Sequence, residues 1–247
     1  MADPLHQIRP KVTSTIREFN MIGPGDRILV AVSGGKDSTI LALVLEELRR
    51  RAPFPFTVDA VLLDQQQPGF SADAFCDWFR GRGPQLTLIR EDTHSLVQEK
   101  TAPGKSFCGL CSRLRRGILY NYAHEHGYTK LALGHHREDL NETLLLNLFY
   151  GGRLAAMPPT LISDDGRNQV IRPLCSTPEA WLQEAARELR IPVIPCNLCG
   201  NQEGLRRQEM KALLDRLERT TPGIRGSMLS AQRNVRPTQL LWRSEHG

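Results

Sequence analysis

Arg27-Ile28-Leu29-Val30-Ala31-Val32-Ser33-Gly34-Gly35-Lys36-Asp37-Ser38 is a short apolar run closed by a small, polar, charged turn. Six residues without alternation suit a strand buried on both faces, as in a parallel sheet. The stretch after it, about residues 39–51, carries Leu41, Val44, Leu45 and Leu48 at helical spacing. A strand, two adjacent glycines and a helix outline an anion site. The glycines let the backbone turn tightly, and the loop N–H groups and helix dipole favour negative charge. Ser33 and Ser38 add hydroxyls and Lys36 a point charge. The loop lacks the G-x-x-x-x-G-K-[ST] pattern, because Val30 occupies the first glycine position and Asp37 follows the lysine. A carboxylate at Asp37 beside a phosphate implies a bridging cation such as Mg2+.

The same alternation continues outward. Residues 12–19 read as a lead-in helix. Further strands are expected at 56–63, 86–89, 130–133 and 169–172, and helices at 72–82, 113–126, 137–150 and 178–189. Residues 93–107 read as polar and loop-like. Two helices, 202–219 and 224–234, close the chain. The pattern predicts an α/β fold, a parallel sheet with helices on both faces. The expected division is a lead-in at 1–25, the nucleotide domain at 26–175 and a cysteine-containing helical region at 176–247. Asp64 ends the second strand, and Gly134 and His135 follow the fourth. That rim is where open α/β sheets bind nucleotides. Asp139 lies one helical turn beyond His135 and His136 and is placed to face the same cleft. For Asp64 a turn-cap role is the structural alternative, and for Asp139 a solvated surface charge.

The 247 residues carry a formal net charge of +5, which permits a polyanionic partner without demanding one. No apolar stretch reaches the length of a membrane span, and residues 1–10 lack a secretory core, so a cytoplasmic protein is expected. The six cysteines are Cys76, Cys108, Cys111, Cys175, Cys196 and Cys199. Two C-x-x-C pairs in such a chain read as metal or redox ligands rather than a disulfide framework. The spacing alone leaves a closed zinc site, an iron–sulfur cluster and a dithiol open. Cys76 and Cys175 read as small buried hydrophobes. Arg113, Arg115 and Arg116 follow the first pair, and Arg206, Arg207 and Lys211 the second. Both groups suit RNA phosphates, or else solvated helical faces.

Ser33-Gly34-Gly35-Lys36-Asp37-Ser38 resembles the S-G-G-x-D-S pyrophosphate loop of the PP-loop ATP pyrophosphatases, which implies an adenine-nucleotide alpha-hydrolase-like fold. It also implies cleavage of ATP to AMP and pyrophosphate. More of the chain resembles the tRNA 2-thiocytidine synthetase family, whose members thiolate cytidine 32 of the anticodon loop. The matching stretches include Leu63-Asp64-Gln65, Gln67-Pro68-Gly69-Phe70 and Cys108-Gly109-Leu110-Cys111 with the helix to Tyr120. They continue through Ala132-Leu133-Gly134-His135-His136-Arg137-Glu138-Asp139, Phe149-Tyr150-Gly151-Gly152 and Met157-Pro158-Pro159. Ile194-Pro195-Cys196-Asn197-Leu198-Cys199-Gly200 completes the set. Glu138 stands where relatives often have Asp.

The resemblance implies a 4Fe-4S cluster on Cys108, Cys111 and Cys199, with Cys196 outside the ligand set. ATP with Mg2+ is implied on Ser33, Gly34, Gly35, Lys36, Asp37, Ser38, Asp64, Gly134 and His135. Asp37, Asp139 and Arg115 are the implied catalytic residues. The implied chemistry is adenylation of the base oxygen, then displacement of AMP by sulfide carried on the cluster. The implied partners are tRNA, a sulfur donor such as a cysteine desulfurase, and a second copy in a homodimer. A tRNA 2-thiouridine synthetase and a zinc-stapled RNA-binding protein without catalysis are the competing readings.

Overall fold

The structure is a computed structural model that describes residues 3–67, 69–100, 107–194 and 202–241. The chain runs α1 (Ile8–Glu18), β1 (Arg27–Val32), α2 (Lys36–Arg51), β2 (Thr57–Asp64), α3 (Asp73–Phe79), β3 (Gln85–Arg90), α4 (Thr93–Lys100), α5 (Phe107–Glu125) and β4 (Lys130–Ala132). It continues through α6 (Arg137–Gly151), β5 (Thr160–Ile162), β6 (Gln169–Ile171), α7 (Glu179–Leu189), α8 (Gln202–Thr220) and α9 (Ile224–Arg233).

The strands form one sheet in the order β3-β2-β1-β4-β6-β5. β1 sits in its middle, parallel to β2 from Arg27↔Thr57 to Val32↔Leu62, and parallel to β4 from Ile28↔Lys130 to Val30↔Ala132. Its side chains alternate between two cores, as a strand's period of two requires. Ile28, Val30 and Val32 face a large core shared with α1, α2, α7 and α9. Leu29 and Ala31 face a smaller one with Val61, Leu131 and, from α5, Leu119 and Ala123. The unbroken apolar run is therefore the signature of a strand covered on both faces.

Three expectations are corrected. Residues 93–107 are not all loop: α4 occupies Thr93–Lys100, its start held by Ser95 N–H donating to Asp92 Oδ1 at 2.9 Å and by burial of Thr93. α5 begins at Phe107, before the first cysteine pair, so Cys108 and Cys111 stand on a helix. β5 is an added antiparallel edge strand, paired Leu161↔Val170, on an otherwise parallel sheet. Pro178, expected to open a helix, is the N-cap of α7. Cys175 is fully buried, and Cys76 is half-buried against the main core.

Chain order steps outward from β1 to β2 and β3, then returns to lay β4 on the other side of β1. The crevice beyond the carboxyl ends of β1 and β4 is thus a topological switch point, the place where such sheets bind ligands.

Candidate nucleotide and thiolation site

The loop after β1 fills that crevice. Ser33 N–H donates to Ser38 Oγ at 3.0 Å, the two hydroxyls lie 3.1 Å apart, and Thr39 Oγ1 donates to the Gly35 carbonyl at 2.8 Å. These bonds fold the loop onto the first turn of α2. Gly34 has φ +77°, and a Cβ there would come within 2.6 Å of Ile194. Gly134 needs its missing side chain for a different reason: a Cβ would sit 2.8 Å from the backbone N and Cα of Ser38. The end of β4 is thereby pressed against the loop with no room for a methyl group.

Lys36 Nζ lies 2.9 Å from Asp37 Oδ2 and 3.2 Å from Glu179 Oε1, and Glu179 Oε2 accepts from Lys211 Nζ at 2.9 Å. Burial opposes the charge on Lys36, but the two carboxylates outweigh it and raise its pKa. Burial also works to raise the pKa of Glu179. Its bond to Lys211 and the charges of Lys36 and Lys211 win and hold it at about 2. Asp37 Oδ1 is buried without a hydrogen-bond partner. An unpaired carboxylate oxygen facing a phosphate loop fits a cation such as Mg2+.

His136 caps α6 and touches three acids. Its ring lies 4.0 Å from Asp37 Oδ2, 3.4 Å from Glu138 Oε2 and 3.5 Å from Asp139 Oδ2, and the His136 backbone N–H donates to Asp139 Oδ2 at 3.0 Å. Burial lowers its pKa, and the acids more than reverse that, for a net rise. Glu138 Oε2 accepts from Glu179 N–H at 2.8 Å, which ties the start of α6 to the start of α7. Asp139 Oδ1 lies 3.6 Å from Arg207 of α8. The geometry thus brings Asp37, Asp139, His136 and Lys36 into one group.

Other expected residues fall differently. Asp64 Oδ1 accepts from Gln66 N–H at 2.8 Å, the contact of a turn cap, and Gln66 takes a left-handed φ of +56°. His135, just past β4, accepts at Nδ1 from Arg172 Nε at 3.2 Å. Arg115 is half-buried on α5, one turn beyond Cys111. Cys111 receives a hydrogen bond at 3.3 Å from Nε2 of Gln65, a buried residue immediately after β2. Cys108 precedes Cys111 by three positions on α5. The Cys108 side chain, Cys196 and Cys199 lie outside the described residues. Ile194, two residues before Cys196, donates its N–H to the Gly34 carbonyl at 2.9 Å. The phosphate loop therefore anchors the segment that leads into the second pair.

Gln65, Glu179, Arg172 and Ile194 were not singled out as site residues from the sequence. Gln65 and Ile194 lie within stretches that match the family, and Glu179 is the first-turn acid of a legible helix. No spacing rule connects any of them to its partner.

A family model described as a PP-loop domain matches residues 6–197. A tRNA-cytidine(32) 2-sulfurtransferase of Bdellovibrio bacteriovorus is 49% identical over 95% of this chain and 90% of its own length. One from an Anaeromyxobacter species is 51% identical over 94% of this chain and 77% of its own. Among solved structures, the U34-tRNA thiolase NcsA from Methanococcus maripaludis with its 4Fe-4S cluster superposes with a TM-score of 0.75. It is 20% identical and covers 95% of this chain and 80% of its own, a likeness of fold. The chain belongs to the tRNA-cytidine(32) 2-sulfurtransferase family of PP-loop proteins.

Proposed function

We propose that this protein is an ATP-dependent tRNA thiolase that converts cytidine 32 of the anticodon loop to 2-thiocytidine through an adenylated base. The observation that carries the reading is the bond between Ile194 N–H and the Gly34 carbonyl. It ties Ile194, two residues before the second cysteine pair, to the loop built for phosphate, and so supports a reading in which the sulfur and nucleotide chemistries share one crevice. Family membership supplies the reaction class.

In this reading Ser33, Gly34, Gly35, Lys36 and Ser38 cradle the phosphates, and Asp37, with its unpaired carboxylate oxygen, would hold Mg2+. Gly134 and His135 border the nucleotide. The cytosine 2-oxygen attacks the α-phosphorus, an O–P bond forms, and pyrophosphate leaves. Asp139 and Arg115 orient the reacting groups and balance their charge. In the second step a C–S bond forms at C2 and the bond to AMP breaks. Cys108, Cys111 and Cys199 would hold a 4Fe-4S cluster, which with three protein thiolates supplies one iron open to sulfide. The base must be presented unstacked, as an anticodon loop allows. A donor such as a cysteine desulfurase supplies the sulfur, and the active species is a homodimer.

The test is purification without oxygen, followed by iron, sulfide and zinc content and an assay of thiolated tRNA with and without ATP. About four irons per chain and ATP-dependent 2-thiocytidine at position 32 are expected. Cys108→Ser, Cys111→Ser and Cys199→Ser should lose the cluster, and Cys196→Ser should keep it. A colourless protein with one bound zinc, or sulfur found only on a uridine, overturns the reading.

A further inference from the structure

Arg172 follows β6 directly and is 8% exposed. Its backbone N–H donates to the Pro159 carbonyl at 2.9 Å, and its Nη1 donates to the Pro158 carbonyl at 2.7 Å. The Nε–H is spent on His135 Nδ1 at 3.2 Å. Among the described residues Arg172 forms no ion pair with a carboxylate, so its charge is buried against a peptide carbonyl and an imidazole. Such burial is costly. It also explains the Met157-Pro158-Pro159 turn, which the phosphate loop and the cysteines leave without a role. Two consecutive prolines present carbonyls and no N–H of their own, and both carbonyls receive Arg172.

The consequence for His135 follows from donor counting. A guanidinium has only donors. The nitrogen that faces it must therefore be bare, and a neutral imidazole with a bare Nδ1 carries its proton on Nε2. An imidazolium would direct an N–H at the guanidinium. We propose that Arg172 is a positioning residue that fixes His135 as the Nε2–H tautomer, a hydrogen-bond donor for an acceptor atom of the nucleotide held at residues 33–38. The inference rests on the reading of His135 as a nucleotide neighbour, and it names the proton that does the recognising. Burial supports the neutral ring: despite the pull of Asp139, burial with the charges of Arg172, Arg207 and His136 brings the His135 pKa down to about 4.

The experiment is nitrogen-resolved NMR of the histidine side chains in the full-length protein, the His135 signals being those that vanish in His135→Gln. At pH 7 they should show a protonated Nε2 and a bare Nδ1, and a non-hydrolysable ATP analogue should shift the Nε2–H. Arg172→Met should lose the single tautomer and raise KM for ATP roughly tenfold with little change in kcat. His135→Gln, whose amide reaches the Nε2 position, should keep ATP affinity within a few-fold. His135→Asn, whose amide reaches only the Nδ1 position, should lose roughly tenfold. This pair does not depend on Arg172→Met folding. An imidazolium or Nδ1–H ring at pH 7 overturns the proposal, as does an Asn variant that binds ATP as well as the Gln variant. A correct tautomer that does not respond to the analogue overturns the nucleotide assignment. Thiolation by the wild-type protein reports separately on the function.

Discussion

Glu179 shows how much one carboxylate can hold in place. It is 14% exposed, and it binds Lys36 of the phosphate loop with one oxygen and Lys211 of α8 with the other. Its pKa of about 2 lies below the ordinary glutamate value of 4.5, so its folded form binds a proton less readily than the unfolded chain does. The sign follows by linkage. The stabilisation is complete above pH 4.5 and is lost as pH falls toward 2, and it amounts to on the order of 3 kcal/mol. Glu179→Gln should lower stability at pH 7 and flatten the acid limb between those limits. Urea unfolding of both proteins from pH 7 to pH 2.5 checks it, and two parallel limbs would exclude the role. At this scale the phosphate loop was legible because its chemistry lies in six consecutive residues. Glu179 was not, since its partners stand 143 and 32 positions away and only the fold connects them.

At the scale of elements, α6 is held by α8 and α9. Asn141 Nδ2 donates to the Arg225 carbonyl at 3.0 Å, and Arg207 lies 3.2 Å from Glu142 Oε2. Glu142 is nearly buried, and burial raises its pKa against the pull of Arg207. Arg207→Met strands that carboxylate, at a cost of about 1–3 kcal/mol. Adding Glu142→Gln should return most of the loss, because an amide needs no counter-charge. A double-mutant cycle by denaturant unfolding measures the coupling, and simple additivity of the two losses would show that the pair does not hold α8. Helices with an apolar stripe, such as α2 and α7, were legible from their period. α4 was not, because Thr93–Lys100 is polar apart from Leu96 and Val97. β5 has three residues, too few for a period to show, and two of them are exposed. The start of α5 was hidden because two cysteines and a glycine read as a ligand turn, although they sit on a helix.

Over the whole molecule the sheet order does what no single motif does, since it sets the loop after β1 beside the end of β4 and leaves one crevice between them. The parallel class was readable from alternating strands and helices. The order was not, because nothing in a strand's own residues names its neighbours. Among the described residues no helix is long and apolar enough to cross a membrane. The net charge of +5 is not all available to an RNA. Lys211 is engaged by Glu179, Arg207 by Asp139 and Glu142, and Arg206 lies over the Tyr150 ring at 4.6 Å. Arg113 and Arg116 are exposed on α5 beside the first cysteine pair. A cation that neutralises a phosphate releases counterions and steepens the salt dependence by about 0.7–0.9 per contact, whereas one already matched by a carboxylate releases few. Arg113→Ala and Arg116→Ala should therefore weaken tRNA binding and each reduce the slope of log K against log salt by nearly one. Lys211→Met, whose charge Glu179 already matches, should leave the slope unchanged. Titrations of tRNA across a range of KCl decide it. A slope lost at Lys211 and kept at Arg113 and Arg116 would move the RNA path from α5 to α8, and with it the side from which the base enters the crevice.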